Sequence, residues 1–306
     1  MACICGGRKI YYTRPYEGQE LCKKCFIQSV EKKVKRGVRQ NKLLLSGDKI
    51  GVALSGGKDS SAALYIMSQI AKKRRDMEIF AISIDEGLGK YRNDTIKKSA
   101  ELCKMLDVPH YIYSFKVELG KSLPEMMKKD PTLNACTFCG VARRDLLNRK
   151  ARELGATKLA FGFNLNDEAE SVFMNFIFGN LDKFTRLGPK VENKNIPQFV
   201  PRLKPLREIP EKELFAYCDA AGLPYFSKKI CPYGKESVRK SIRKCLYEME
   251  EKYPGTLFQI VKFADLIIPP IRDSFRKEGK LKFCKICGEP SSKETCKACI
   301  LLGRQK

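Results

Sequence analysis

The chain has no tryptophan and a single histidine, His110, in 306 residues. One histidine can build neither a Ser-His-Asp arrangement nor a multi-histidine metal site, so both chemistries are excluded. No apolar run approaches the roughly 18–20 residues that a membrane span needs. The first residues carry Arg8 and Lys9 without an apolar core, unlike a secretory signal. Acidic residues are also scarce: 35 Asp/Glu face 59 Lys/Arg, leaving a formal charge of +24. The expectation is a cytoplasmic protein with no membrane attachment. Thiols stay reduced there, so close cysteine pairs read as metal or redox sites rather than disulfides.

Cysteine is what the chain has in quantity, 14 in all. Cys284-x2-Cys287-x8-Cys296-x2-Cys299 is a four-thiolate zinc pattern, and Cys3-x-Cys5-x16-Cys22-x2-Cys25 is a second, less regular one. Zinc closed by four thiolates holds structure and leaves no open position for chemistry. Cys136-Thr-Phe-Cys139 stands alone, with no second pair nearby. Cys103, Cys218, Cys231 and Cys245 are candidates to join it. Cys103 and Cys218 sit in helix-like apolar contexts and read as core, Cys245 lies on a basic helix, and Cys231 lies in the polar Lys-Lys-Ile-Cys-Pro-Tyr. Three thiolates would suit an iron–sulfur cluster with one iron left open.

The positive charge concentrates at the ends. Residues 1–50 hold 12 Lys/Arg against 4 Asp/Glu, and residues 274–306 hold 9 against 3. A polyanion such as RNA is the natural partner, because neutralising phosphates releases counterions. Phe26, Val30, Val34 and Val38 predict one amphipathic helix over 26–42, whose other face carries Lys32, Lys33, Lys35, Arg36, Arg39 and Lys42.

From Asp48 onward, strand-like runs at Ile50–Leu54, Ile79–Ile84, His110–Phe115, Lys158–Phe163 and Phe199–Leu206 alternate with helical patterns. The helices are expected near 60–73, 92–106, 140–154 and 167–178, then near 211–221 and 236–251. This order predicts an α/β fold with a doubly wound parallel five-stranded sheet, flanked by N- and C-terminal zinc knuckles. Residues 183–198 read as a loop over the site, and Pro269-Pro270 as a break before the last knuckle. The expected division is 1–45 (first knuckle and basic helix), 46–231 (nucleotide and thiol domain), 232–275 (helical extension) and 276–306 (second knuckle).

Ser55-Gly56-Gly57-Lys58-Asp59-Ser60 follows the first strand and opens a helix, so its amides, hydroxyls and ammonium form a phosphate cradle. It lacks the spacing of a Walker A loop. It is the signature of the PP-loop ATP pyrophosphatases, which grip the outer phosphates of ATP and leave the α-phosphorus open to attack. That resemblance implies nucleotide contacts from Ala53, Ser55, Gly56, Gly57, Lys58, Asp59 and Ser60. It adds Ile84 and Asp85 at the end of the second strand, and Gly162 and Asp167 beyond the fourth. Asp167 would bind Mg2+ or steer the acceptor, with a helix-capping role as its plainer alternative.

Taken together, the paired N-terminal cysteines ending Leu-Cys-Lys-Lys-Cys-Phe, the SGGKDS loop, Cys-Thr-Phe-Cys-Gly with Arg143-Arg144, Gly-Phe-Asn-Leu-Asn-Asp-Glu, Pro-Arg-Leu-Lys-Pro-Leu, Cys-Pro-Tyr and the final double CxxC resemble the TtuA-type tRNA 2-thiouridine synthetases and the related cytosolic tRNA thiouridylases. The resemblance implies a 4Fe-4S cluster on Cys136, Cys139 and Cys231 and two Zn2+ in the terminal knuckles. It implies adenylation of a tRNA uridine by ATP, with Asp59 and Asp167 serving that half, then sulfur transfer that displaces AMP. It further implies a homodimer and a sulfur donor that is sulfide, a persulfide or a ubiquitin-like carrier. Phe163 and Asn166 stand where the family pattern has histidine and aspartate. A 2-thiocytidine synthetase would share the loop and cluster but not the knuckles. A knuckle-bearing RNA adaptor would not need an intact loop.

Overall fold

The computed structural model describes residues 2–129, 134–191, 196, 198–227, 231–233, 237–274 and 282–304. A small hairpin, β1 (Tyr12–Arg14) and β2 (Gln19–Leu21), leads into α1 (Lys23–Gln40). Phe26, Val30, Val34 and Val38 are buried along α1, as their spacing demands. They join the same apolar cluster as Ile50, Val52, Leu64 and Tyr217, which ties the basic helix to the central sheet. Lys32, Arg36 and Arg39 stay exposed on its other side.

Strand–helix alternation follows: β3 (Lys49–Ala53), α2 (Lys58–Lys72), β4 (Glu78–Asp85), α3 (Lys90–Leu106) and β5 (His110–Ser114). The chain then runs through α4 (Phe115–Leu119), α5 (Leu123–Lys129) and α6 (Ala135–Glu153) to β6 (Lys158–Ala160). Next come α7 (Leu165–Ile177), α8 (Leu181–Phe184), β7 (Lys190–Val191) and β8 (Arg202–Leu203). Helices α9 (Glu211–Ala220), α10 (Val238–Lys252) and α11 (Thr256–Ser274) precede a final module of β9 (Lys282–Phe283), β10 (Pro290–Ser291) and α12 (Lys297–Leu302).

The central sheet has the order β5-β4-β3-β6-β8-β7. The chain builds outward from β3 to β5, then crosses back to place β6 on the other side of β3 through parallel pairings. That reversal opens a crevice at the carboxyl ends of β3 and β6, where doubly wound sheets bind ligands. One face of the sheet packs on α1, α2 and α9 and the other on α5 and α6, each with its own apolar cluster.

Two expectations need correction. The stretch read as a loop contains β7, a sixth strand, antiparallel to β8 at the sheet edge. Two residues are too short to show a period of two, and 192–195 and 197 of that stretch lie outside the described residues. Pro269-Pro270 does not break the chain: both lie inside α11, a helix that the sequence reading did not foresee. The carbonyls deprived of an N–H partner belong to Asp265 and Leu266, which are exposed to water, while Leu257, Val261, Ala264 and Ile268 hold the buried side. The expected boundary at 275/276 and the start of the helix at 236 fall outside the described residues.

Candidate active site and metal centres

The loop after β3 is held in shape by its own serines. Ser55 N–H donates to Ser60 Oγ at 3.1 Å, the two hydroxyls lie 2.9 Å apart, and Ser60 Oγ donates to the Gly57 carbonyl at 3.0 Å. Gly56 has φ +85°, and a Cβ there would sit 2.2 Å from the Thr95 carbonyl oxygen, so no other residue fits. Lys58 Nζ lies 2.9 Å from both Asp59 and Glu211. Burial opposes its charge, but the two carboxylates outweigh burial and raise its pKa.

The crevice brings Gly162 against this loop, and Asp167 follows five residues later on α7. A Cβ on Gly162 would lie 2.7 Å from Asp59 C and Ser60 N, so the chain leaving β6 touches the loop backbone. Asn164 Nδ2 donates to Asp59 Oδ1 at 3.1 Å. Asn164 also caps α7 in a reciprocal box with Asp167, accepting from Asp167 N–H at 3.0 Å while Asp167 Oδ2 accepts from Asn164 N–H at 3.2 Å. Asp167 is thus a cap, the plainer of its two readings, and its second oxygen, Oδ1, lies 3.5 Å from Arg243 Nη2. Burial, with Glu170 and Asp59 adding repulsion, pushes its pKa up to about 6. At the end of β4, the Ile84 carbonyl accepts from Arg92 Nε at 2.6 Å and Asp85 Oδ1 accepts from Gly87 N–H at 2.8 Å.

Cys136 and Cys139 occupy the first turns of α6, which Asn134 caps by accepting from Cys136 N–H at 2.9 Å. The amino end of a helix favours a thiolate. Burial pushes the Cys139 thiol up, opposed by Arg143, whose Nη2 lies 3.1 Å from Sγ. Charge on Cys231 and Cys136 is felt at Cys139, so the three thiols share one neighbourhood. They do not close into the tight grouping seen in the terminal modules. Cys103 and Cys218 are buried as expected, and burial alone pushes Cys103 up to about 12. Cys245 is exposed.

A buried acid joins the two halves. Glu86, 2% exposed, pairs with Arg92 at 3.0 Å through one oxygen and with Arg143 at 2.6 Å through the other. Arg92 also donates to the Ser55 carbonyl at 2.7 Å. The unbroken chain Ser55–Arg92–Glu86–Arg143–Cys139 links the phosphate loop to the central thiol.

At each end, four thiols converge with all Sγ atoms within 4.8 Å of one another: Cys3, Cys5, Cys22 and Cys25, then Cys284, Cys287, Cys296 and Cys299. Neighbouring sulfurs at 3.5, 3.8 and 3.6 Å match the edge of about 3.8 Å that Zn–S bonds of ~2.3 Å give a tetrahedron. The irregular CxC of the first module therefore brings its thiols together as closely as the two CxxC pairs of the last module do. Backbone N–H donors from Cys22 and Cys5 pull the Cys3 thiol down to about 6. At Cys284 burial resists ionisation, but the amides of Cys296 and Cys287 outweigh it, also to about 6.

The PP-loop domain model matches residues 27–249. The tRNA 2-thiolation protein NcsA of Haloferax volcanii is 34% identical over 99% of this chain and 98% of its own length. The chain belongs to the tRNA 2-thiolation branch of the PP-loop family. Another relative, the tRNA-5-methyluridine(54) 2-sulfurtransferase of Pyrococcus horikoshii, is 33% identical over 100% of this chain and 95% of its own. Among solved structures, the U34-tRNA thiolase NcsA of Methanococcus maripaludis, determined with its [4Fe-4S] cluster, superposes with a TM-score of 0.84 at 34% identity, covering 98% of this chain and 95% of that one.

Two side chains of this thiolation-family member were marked by the sequence as departures. Asn166 Oδ1 accepts from Glu211 N–H at 2.9 Å, capping α9 and so fixing the acid that holds Lys58. Phe163 stacks on Phe161 with centroids 5.6 Å apart, has Lys204 Nζ 5.9 Å from its ring centroid and is 41% exposed. Glu86, Arg92, Asn164 and Glu211 were not singled out beforehand. Asn164 alone had a signal, an Asn three residues before Asp at a strand-to-helix junction.

Proposed function

We propose that this chain is an ATP-dependent tRNA-uridine 2-sulfurtransferase. The observation that carries the reading is the continuous link from Ser55 to Cys139, which joins a nucleotide loop and a thiol centre across one crevice. In the first half-reaction the loop and Lys58 hold the outer phosphates of ATP, whose charge a bound Mg2+ would screen. The 2-carbonyl oxygen of the uridine attacks the α-phosphorus and pyrophosphate departs. Asp167, beside Asp59, orients the acceptor or the metal. In the second half-reaction sulfur bonds to C2 and AMP leaves with the former carbonyl oxygen.

The sulfur centre is assigned to Cys136, Cys139 and Cys231. An all-thiol donor set that is too open for a single closed ion suits a 4Fe-4S cluster, and such a cluster, when bound, supplies an iron position free to carry sulfur. Arg143 balances negative charge at that centre. The terminal modules fit two Zn2+ and act structurally. Relatives at 34% and 33% identity are named for different uridines, 34 and 54, so resemblance does not select the position.

The donor is taken to be sulfide, a persulfide or a ubiquitin-like carrier, the compartment the cytoplasm, and the assembly a homodimer. Exposed Phe176, Ile177, Phe178, Phe263 and Leu266 on and beside α7 and α11 offer a face for the second copy. No helix among the described residues is long and apolar enough to cross a membrane.

The test is the nucleoside profile of tRNA from cells lacking this protein, where one 2-thiouridine should disappear and its position name the substrate site. Anaerobically purified protein should hold about two zinc and up to four iron per chain. An unchanged profile, or iron-free protein that thiolates tRNA normally, overturns the reading.

A further inference from the structure

The arginines of α6 divide by partner. Arg149 pairs with Asp145 and Arg152 with Glu289, while Arg143 has Glu86. Arg144 has no carboxylate among the described residues. It lies against the turn that carries the central thiols, its Nη1 only 3.3 Å from where a Gly140 side chain would begin. The charges it feels are Arg143, which repels it, and the thiol of Cys139.

Arg202 approaches from the sheet. Its neighbour in β8, Leu203, is buried in the cluster shared with α1, α2 and α9. The alternation of a strand therefore turns Arg202 to the opposite face, towards α6. The guanidinium lies over Phe199 at 4.7 Å and Phe161 at 5.9 Å. Its Nε is buried without a hydrogen-bond partner. Burial, with Arg144 adding repulsion, pushes its pKa down to about 10. Arg144 is exposed and Arg202 half-buried on the side of the sheet that α6 covers, and neither has an acid partner among the described residues. The buried Arg202 Nε therefore carries a desolvation cost that an arriving anion would relieve. The aromatic faces offset only part of that cost.

We infer that Arg144 and Arg202 form a phosphate-binding subsite for the RNA substrate, with the exposed part of the Phe163 ring receiving the adjoining base. This rests on the reading of the protein as a tRNA thiolase. A guanidinium pair presents forked donors matched to phosphate oxygens. Phe163 is 41% exposed, stacks on the Phe161 ring that Arg202 touches, and directly precedes Asn164, the partner of Asp59. Stacking on an aromatic ring beside a phosphate contact is how unpaired nucleotides are held. The phosphates of ATP have their own cradle at Ser55–Ser60. The subsite thus grips the backbone beside the target uridine and sets that uridine between the loop and Cys139.

The experiment uses full-length protein and an unmodified tRNA transcript, with affinity measured across a KCl series. Arg144→Ala and Arg202→Met should each weaken binding about tenfold and reduce the slope of log affinity against log salt by about 1. Arg202→Lys should retain the slope, and ATP affinity should stay as in the parent. Phosphate-ethylation interference should lose its signal at one or two phosphates in both charge-removing variants. Zinc content and melting temperature establish that each variant is folded, and the exposed Arg144→Ala serves should Arg202→Met fail that check. Parental tRNA affinity and salt slope in folded variants overturn the subsite, while tRNA thiolation by the parent protein leaves the enzyme reading intact. Loss of ATP affinity instead assigns the arginines to the nucleotide and also overturns it. A parent protein that leaves tRNA unthiolated would remove the basis for both.

Discussion

The terminal cysteine modules and the central cysteines use the same side chain for opposite purposes. In each terminal module four thiols lie within 4.8 Å of one another, and backbone N–H groups point at their sulfurs, as from Cys22 to Cys3 and from Cys296 to Cys284. Four thiols so placed would use all the ligand capacity of a tetrahedral ion. Cys136 and Cys139 sit at the start of a helix with Cys136 exposed, and the contact to Cys139 Sγ comes from a side chain, Arg143, rather than backbone. Closure favours stability and openness favours chemistry. The charge environment agrees, since the central thiols are wired to the nucleotide loop through Glu86 and the terminal ones are not.

The sharpest way to break this contrast is to remove one thiol from each kind of site. Cys139→Ala should abolish tRNA thiolation, by about three orders of magnitude or more, and remove iron while both zinc ions stay. Cys299→Ser should release one zinc and lower the melting temperature, leaving iron and residual activity in whatever fraction folds. Elemental analysis alongside a thiolation assay reads both. Zinc loss from Cys139→Ala, or a stable and fully zinc-loaded Cys299→Ser, would erase the distinction.

Much of this was legible in the sequence because its signals are local. The loop, the two four-cysteine modules and the strand–helix alternation each fit within a few to a few tens of residues, where spacing fixes geometry. Cys231 lies 92 positions beyond Cys139 in the numbering; composition left four cysteines in contention, polar context set Cys231 apart, and family resemblance assigned it. Glu86, Arg92 and Glu211 are ordinary charges until the fold pairs them, and Glu211 meets Lys58 across 153 residues. Pro269-Pro270 misled because a sequence shows the missing N–H but not which side of a helix faces water. Phe163 and Asn166 looked like lost function. The structure gives Asn166 a capping bond and Phe163 an aromatic partner, neither of which a motif displays.

The nucleotide side of the contrast sharpens with Asp59→Ala, which removes a partner of both Lys58 and Asn164. Pyrophosphate release should fall by about two to three orders of magnitude with iron and zinc unchanged. Parental pyrophosphate release would detach the loop from the chemistry. The link between the halves is tested by Glu86→Gln, which keeps the shape and removes the charge that two arginines share. An effect of about ten- to a hundredfold on thiolation is expected, together with a lower melting temperature and a changed cluster absorption spectrum. If only the melting temperature moves, Glu86 is a structural brace and the halves are not coupled through it.

The smallest effect concerns pH and Asp167. Burial, reinforced by Glu170 and Asp59, raises this carboxyl from an ordinary 3.8 to about 6, so the folded protein holds the proton more tightly than the unfolded chain. Between about pH 4 and pH 6 the folded state therefore binds more protons, and the contribution of Asp167 to stability declines as pH rises through that window. Activity moves the other way, since orienting the acceptor or a metal needs the ionised form. Adenylation should climb about tenfold from pH 5 to pH 7 with an apparent midpoint near 6. Asp167→Asn keeps the capping geometry, because an amide oxygen still accepts from the Asn164 N–H. It should lose that rising limb and most of the rate, and its melting temperature should fall less between pH 4 and 6 than that of the parent. A variant that keeps both the pH limb and the rate would reduce Asp167 to a helix cap and leave the adenylation half to Asp59 and the loop.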